Sequence, residues 1–221
     1  HADPVWFTET TRRTALPRHR VDRALVEVEG YVRDYAADNP DVTVSMLRFS
    51  NVLGEDIVTP ISRALGLPAV PCVFGFDPRV QFVHETDVVR AIMFVLANDL
   101  DGTFNVAGDG LLPWSEVAAM CDKRLVPLPP VGRGLATSLL ARVGVDLPPE
   151  MLDLLTYGRG VDNRLLKEQG FEYRYTSAGA VRAFAEAARL RGTVGGGATY
   201  RYERDVEQFF RHSPAVVRDQ G

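Results

Sequence analysis

The hydrophobic pattern takes shape at residue 21. Val21, Leu25, Val28, Val32 and Tyr35 recur at spacings of four and three, which sets them along one face of a helix and leaves Asp22, Glu29, Arg33 and Asp38 pointing elsewhere. Asn39 and Pro40 end this helix, because proline disfavours helical geometry in the residue before it. The run 42–49 is rich in β-branched residues and apolar on both faces toward its end, as a covered parallel strand requires. A second short strand is predicted at 71–74. The apolar stretch 88–96 predicts a helix, with Asp87 or Thr86 accepting hydrogen bonds from its free first-turn amides. Residues 103–106 return as a strand. Helix and strand in alternation point to an α/β fold with a parallel sheet.

From Pro113 the pattern changes to short helices around Pro- and Gly-rich connections, at 115–120, 135–143, 149–155, 163–169 and 178–190. Pro148 and Pro149 suit a helix's first turn, Gly170 suits the residue just past one, and Thr176 or Ser177 can cap the last long helix. This string reads as a smaller, mainly helical lobe appended to a sheet. The glycine run at 195–197 reads as a flexible joint and 203–210 as a final helix. The expected division is 1–112 for the sheet-bearing part, 113–191 for the small lobe and 192–221 for the joint and terminal helix. Ahead of the first helix, a stretch without periodicity leads through Arg12, Arg13, Arg18 and His19.

With 46% apolar residues in 221, the chain can bury a core as one domain, or one domain and a small lobe. A net charge of −4 gives no overall pull toward nucleic acid or an anionic membrane. No apolar run approaches the ~20 residues that span a bilayer, and the first residues lack a signal-peptide layout; a cytoplasmic address is expected. Cys72 and Cys121 are far apart and outside any CxxC, so the sequence suggests neither a disulfide framework nor a metal site. Lys123 and Lys167 are the lysines among 25 basic residues, and the rest are arginine.

Three segments carry a family likeness. Arg48, Asn51 and Gly54 in RFSNVLG fit an R-x-x-N-x-x-G pattern at the end of the strand; His84 and Asp87 in FVHETD fit F-[VI]-H-x-x-D at a helix start; Asn105 in GTFNV fits G-x-Y-N-[VI]. In this order and spacing they resemble the extended short-chain dehydrogenase/reductase family of NAD(P)-dependent nucleotide-sugar epimerases and dehydratases, over roughly residues 3–175. Residues 4–9 are similar to the family's acidic loop. The resemblance implies an incomplete Rossmann-like parallel sheet with a mainly helical substrate lobe, NAD(P) as cofactor of the full-length protein and a nucleotide sugar as its substrate. It makes Arg48, Asn51, His84 and Asn105 the substrate-binding candidates. Each also has a plainer reading from its type: Arg48 as an inward arginine paired with a carboxylate, Asn51 as a turn cap, His84 as a satisfied, partly buried imidazole, Asn105 as a strand-end tether. Tyr157 and Tyr173 either line a sugar pocket or pack in the core.

Two family features are missing from the sequence. No G-x-G-x-x-G or G-x-x-G-x-x-G follows a predicted strand, so no backbone turn is seen that would let helix-start amides approach a pyrophosphate. The family's Tyr-x-x-x-Lys pair is absent too, since neither lysine has a tyrosine four residues before it. Aligning Glu27 with the acidic residue after that lysine puts His19 and Arg23 in the catalytic positions, a degenerate pair in which a neutral imidazole would be the base. The chain alone is therefore expected to bind no cofactor and to catalyse nothing. It is expected to associate with itself through the sheet edge and apolar faces that a missing half would cover. The alternative is a non-catalytic protein of the same fold that senses a dinucleotide or serves assembly. Nucleic-acid binding has only the arginines of 12–23 in its favour, and a hydrolase reading finds no G-x-S-x-G.

Overall fold

Two neighbouring parallel ladders organise the chain, in a computed structural model that describes residues 6–11, 20–129 and 149–193. In order, the first elements are β1 (Trp6–Phe7), α1 (Arg20–Asp38), β2 (Ser45–Phe49), β3 (Asn51–Leu53), α2 (Pro60–Gly66), β4 (Ala69–Val73), β5 (Arg79–Val80) and β6 (Phe82–His84). There follow α3 (Glu85–Ala97), β7 (Gly102–Val106), β8 (Leu112–Pro113), α4 (Trp114–Met120) and β9 (Arg124–Leu128). The last are α5 (Pro149–Tyr157), β10 (Gly160–Val161), α6 (Arg164–Glu168) and α7 (Ser177–Thr193). The helices expected at 135–143 and 203–210, and the joint at 195–197, lie outside the described residues.

Strand β2 pairs in parallel with β7, Leu47 opposite Phe104 and Phe49 opposite Val106. One residue on, β3 pairs in parallel with β6, Asn51 opposite Phe82 and Leu53 opposite His84. The single extended run thus changes partner at Ser50, whose amide closes the first ladder by donating to the Val106 carbonyl at 3.0 Å. Parallel ladders also join β4 to β9 and β1 to β10, while β5 and β8 run antiparallel. Helices between parallel strands make this a partial Rossmann-like α/β fold.

By its contacts the chain divides into two units, 1–188 and 189–221, and both clusters of buried side chains belong to the first. One gathers Leu53, Leu65, Val80, Phe82, Trp114 and Val181 between β3, β4, β6, α2, α4, α5 and α7. The Trp114 indole is fully enclosed without penalty, since its Nε1–H donates to the Pro71 carbonyl at 2.9 Å. The other packs Val83, Ala91, Val95, Phe104, Val106, Leu166 and Phe171 between α3, β6, β7 and α6.

Two expectations change. Of the apolar stripe of α1, Leu25, Val28 and Tyr35 face outward, 59%, 59% and 45% exposed, beside Tyr31 at 74%, while Val32 is half-buried. The helix instead turns Glu29 toward β2, because Arg48 offers it a charged partner there. The cap of α3 is His84 rather than Asp87 or Thr86; its Nδ1 accepts from the Thr86 amide at 3.2 Å and the helix begins at Glu85. Elsewhere the caps follow the rules. Thr59 and Ser62 form a reciprocal capping box on α2, and Thr176 Oγ1 accepts from the Gly179 amide at the start of α7.

Candidate functional site

Open parallel sheets bind ligands beyond the carboxyl ends of their strands, above all where neighbouring strands diverge. Here that place is Ser50, between the ends of β2 and β7 on one side and β3 and β6 on the other. The four substrate-binding candidates lie along these strands, and each has an intramolecular partner.

Arg48 presents its fork to Glu29, Nε and Nη2 donating to the two carboxylate oxygens at 2.9 and 2.7 Å, and its Nη1 donates to the Glu9 carbonyl at 3.2 Å. This is bidentate pairing on a half-buried arginine, the strong form of the interaction. Asn105 is buried: its amide donates to the Glu9 carboxylate at 2.9 Å, and its Nδ2 to the carbonyls of Phe7 and Asp162 at 3.0 and 3.1 Å. Arg48 and Asn105 therefore fasten the segment 6–11 across the ends of β2 and β7. Asn51 donates to the Gln81 carbonyl at 2.9 Å and tethers β3 to the start of β6.

The divergence itself is filled by polar side chains. Buried Gln81 spans it, donating to the Gly108 carbonyl at 2.9 Å and accepting from the Val161 amide at 2.8 Å. Ser177, fully buried, accepts from the Phe82 amide at 3.1 Å and lies 3.1 Å from the Gly108 carbonyl. Backbone here is so close that a Cβ on Gly108 would stand 2.8 Å from the Phe82 oxygen and 2.9 Å from the Ser177 nitrogen.

His84 stacks on Tyr175, ring centroids 3.9 Å apart and 17° between planes, while its Nδ1 caps α3. Asp87, with no exposed surface, accepts from the amides of Arg174 and Tyr175 at 3.0–3.1 Å and from Arg90 at 2.8 Å. The histidine and aspartate of the second motif thus strap the segment before α7 onto the first turn of α3. Glu85 ties the loop after β3, accepting from the Glu55 amide at 2.6 Å, and its carboxyl carbon lies where a side chain on Gly54 would go.

Beyond β7, Asp109 meets Lys167 at 3.0 Å and Asn163 at 2.9 Å. Burial raises its pKa, but the hydrogen bonds from Asn163 and Lys167 and the lysine's charge outweigh it, holding the carboxyl below its usual range. The Tyr173 phenol oxygen accepts from the Ala107 amide at 3.4 Å, and burial pushes this phenol far above the ordinary tyrosine range; Asp109, Asp87 and Glu9 add to the shift and the Ala107 amide opposes it. These surroundings favour the neutral phenol of Tyr173 over its tyrosinate. Tyr157 is exposed.

Of the degenerate catalytic pair, His19 lies outside the described residues and Arg23 is exposed on α1. Among the described residues no group of three His, Cys, Asp or Glu side chains is placed to hold a metal, and no helix is long and apolar enough to cross a membrane. A shallow hollow of about 270 Å³, lined by residues 99–104 with Leu165 and Gln169, opens at the amino-terminal end of β7, away from Ser50. Sequence spacing missed Glu9, Glu29, Gln81 and Ser177, which lie 19–96 positions from the groups they bind.

No family model matches the chain. It is 34% identical over 192 residues to the uncharacterised proteins Rv0501 of Mycobacterium tuberculosis and Mb0513 of Mycobacterium bovis, an overlap of 86% of this chain and 50% of theirs. The chain thus spans half the length of these relatives. Among solved structures it resembles a UDP-glucose 4-epimerase from Stenotrophomonas maltophila with bound NAD, at TM-score 0.60 and 16% identity over 86% of this chain and 60% of that one. It also resembles a dTDP-glucose 4,6-dehydratase from Bacillus anthracis in complex with NAD, at TM-score 0.59 and 16% identity over 85% and 57%. These likenesses, with the parallel ladders, show that the chain carries part of the extended short-chain dehydrogenase/reductase fold, that of the NAD-dependent epimerases and dehydratases.

Proposed function

We propose that this chain is the carboxy-terminal part of an NAD(P)-dependent nucleotide-sugar epimerase/dehydratase-like protein and forms the substrate side of its crevice, with residues 113–191 as the substrate lobe. The observation that supports this most is the change of strand partner at Ser50, which sets Arg48, Asn51 and Asn105 around a divergence of parallel strands in a fold used by enzymes of that kind. In this reading the sugar nucleotide lies over the carboxyl ends of β2 and β7, NAD(P) is held by polypeptide other than this chain, and the protein works in the cytoplasm. Alone, the chain neither binds NAD(P) nor turns over substrate, and it associates with itself.

A specific observation favours a second reading, a non-catalytic protein of the same fold that senses a dinucleotide or serves assembly. Arg48, Asn51, His84 and Asn105 are all engaged within the molecule, Arg48 through all three guanidinium nitrogens. A ligand phosphate would have to displace Glu29.

Turnover separates the two. A polypeptide of the relatives' full length, carrying this sequence, is supplied with NAD and UDP-hexoses and compared with its His19→Ala form. The first reading expects turnover in the parent and, if His19 is the base, a loss on the order of a hundredfold in the variant. Equal turnover removes His19 from the chemistry; no turnover in either leaves the second reading.

A further inference from the structure

One ring nitrogen of His84 is left over when the hydrogen bonds around Ser50 are traced. His84 closes β6 at its carboxyl end, with Leu53 of β3 opposite, and only 6% of the residue is exposed. Its ring lies on Tyr175, centroids 3.9 Å apart, and its Nδ1 accepts from the Thr86 amide at 3.2 Å. A ring nitrogen that accepts carries no proton, so the proton of the neutral imidazole sits on Nε2. The start of α3 thus selects the tautomer, and the stack fixes the plane in which Nε2–H lies. That N–H donates to no acceptor among the described residues. Nor is it sealed in: Ser50 Oγ is the one buried side-chain nitrogen or oxygen without a partner among those residues, so Nε2 belongs to the small part of His84 that meets solvent.

The tautomer narrows what Nε2 can do. Holding its proton, it neither takes one from a substrate nor binds a metal ion, and what remains is donation to an oxygen. The neighbouring charges select the oxygen. Glu85 and Asp87 follow His84 in the first turn of α3, and Glu55 and Asp56 lie in the loop that the Glu85 carboxylate holds. Against these four carboxylates stand Arg90, already paired with Asp87, and Arg174. A phosphate here would meet like charge, whereas an uncharged oxygen would not. We infer that His84 is a ligand-binding residue whose Nε2–H donates to a hydroxyl or carbonyl oxygen of the sugar, apart from the nucleotide and its phosphates. This deepens the first reading above and rests on it.

Two variants separate this contact from a purely structural role, each made in a polypeptide of the relatives' full length that carries this sequence. His84→Asn keeps an acceptor for the Thr86 amide, since asparagine caps helices well, but it is too short to place a donor at Nε2. His84→Gln sets an amide N–H as many bonds from the backbone as Nε2 and gives up the cap. Calorimetric titration with UDP-glucose and with UDP reads both. His84→Asn should weaken UDP-glucose about tenfold, the worth of one well-made hydrogen bond, and leave UDP within about twofold of the parent. His84→Gln should hold UDP-glucose within about threefold, while its Tm falls by roughly 2–4 °C for the lost cap. Long-range nitrogen–proton NMR spectra of the ring in this chain should show the proton on Nε2. Four results keep the nucleotide-sugar reading and overturn this contact: a proton on Nδ1, UDP-glucose affinity unchanged in His84→Asn, equal losses for UDP-glucose and UDP, or weaker binding by His84→Gln than by His84→Asn. A parent that binds neither ligand overturns the reading itself, and the contact with it.

Discussion

Replacing Asp87 by alanine tests the claim that the second motif is a strap. The carboxylate has no exposed surface and accepts from two backbone amides and one guanidinium. In Asp87→Ala the amides of Arg174 and Tyr175 lose their acceptor in a part-buried place, at roughly 1–2 kcal/mol each, while Arg90, about a third exposed, regains water. The expected loss is about 3 kcal/mol. That is a large share of the 5–15 kcal/mol typical of a domain, and it lowers Tm by roughly 6–12 °C at this size. Asp87→Asn keeps one acceptor oxygen and should cost about half as much. Urea titration at fixed pH supplies the free energies. Amide exchange supplies the location, because Arg174 and Tyr175 should lose protection in the alanine variant before the core strands do. A change under about 1 kcal/mol with an unaltered m-value, or unchanged exchange at those two amides, would refute the strap.

Gly108→Ala should destabilise by about 2–3 kcal/mol in the same titration, because its Cβ would press on the backbone of Phe82 and Ser177, which cannot rotate aside; a neutral result would mean the two segments separate more easily than their hydrogen bonds suggest. Asp109, whose pKa is depressed in the folded state, contributes stability that is present above its unfolded value near 3.9 and lost as pH falls through the folded one. The pair is substantially exposed, so Lys167→Met should cost under about 1 kcal/mol at pH 7 and progressively less as pH falls through the lowered folded value, and a cost that does not shrink with acid would contradict the assignment.

The elements were legible where local period and punctuation decide them. The first helix ends at Asp38, one residue before the Asn39–Pro40 stop, and the apolar runs at 88–96 and 103–106 are α3 and β7, each slightly longer than expected. What period cannot supply is the face. The stripe of α1 is real, yet a period says only that one side is apolar and not what covers it, and a single charged pair, Glu29 with Arg48, turns the helix the other way. Asp87 looked like a cap because aspartate is a good one; its burial within the first turn was set by amides 87 and 88 positions away. Strand β9 escaped notice because Pro127 disqualifies a central strand, whereas here it pairs on one side only, opposite Cys72 in β4. At the candidate site, the plainer readings of Arg48 and Asn105 as a paired arginine and a tether describe the geometry, and the partners that make them so, Glu9 and Glu29, come from other elements.

In the proposed function this chain forms the substrate side of a fold whose cofactor is held elsewhere. Calorimetric titration with NAD and with NADP, of this chain and of the full-length Mycobacterium tuberculosis relative side by side, tests it most directly. One-to-one binding is expected from the longer protein, and none tighter than ~100 μM, about 5.5 kcal/mol, from this chain. Stoichiometric binding by this chain below that value, or none by the longer protein, would contradict it.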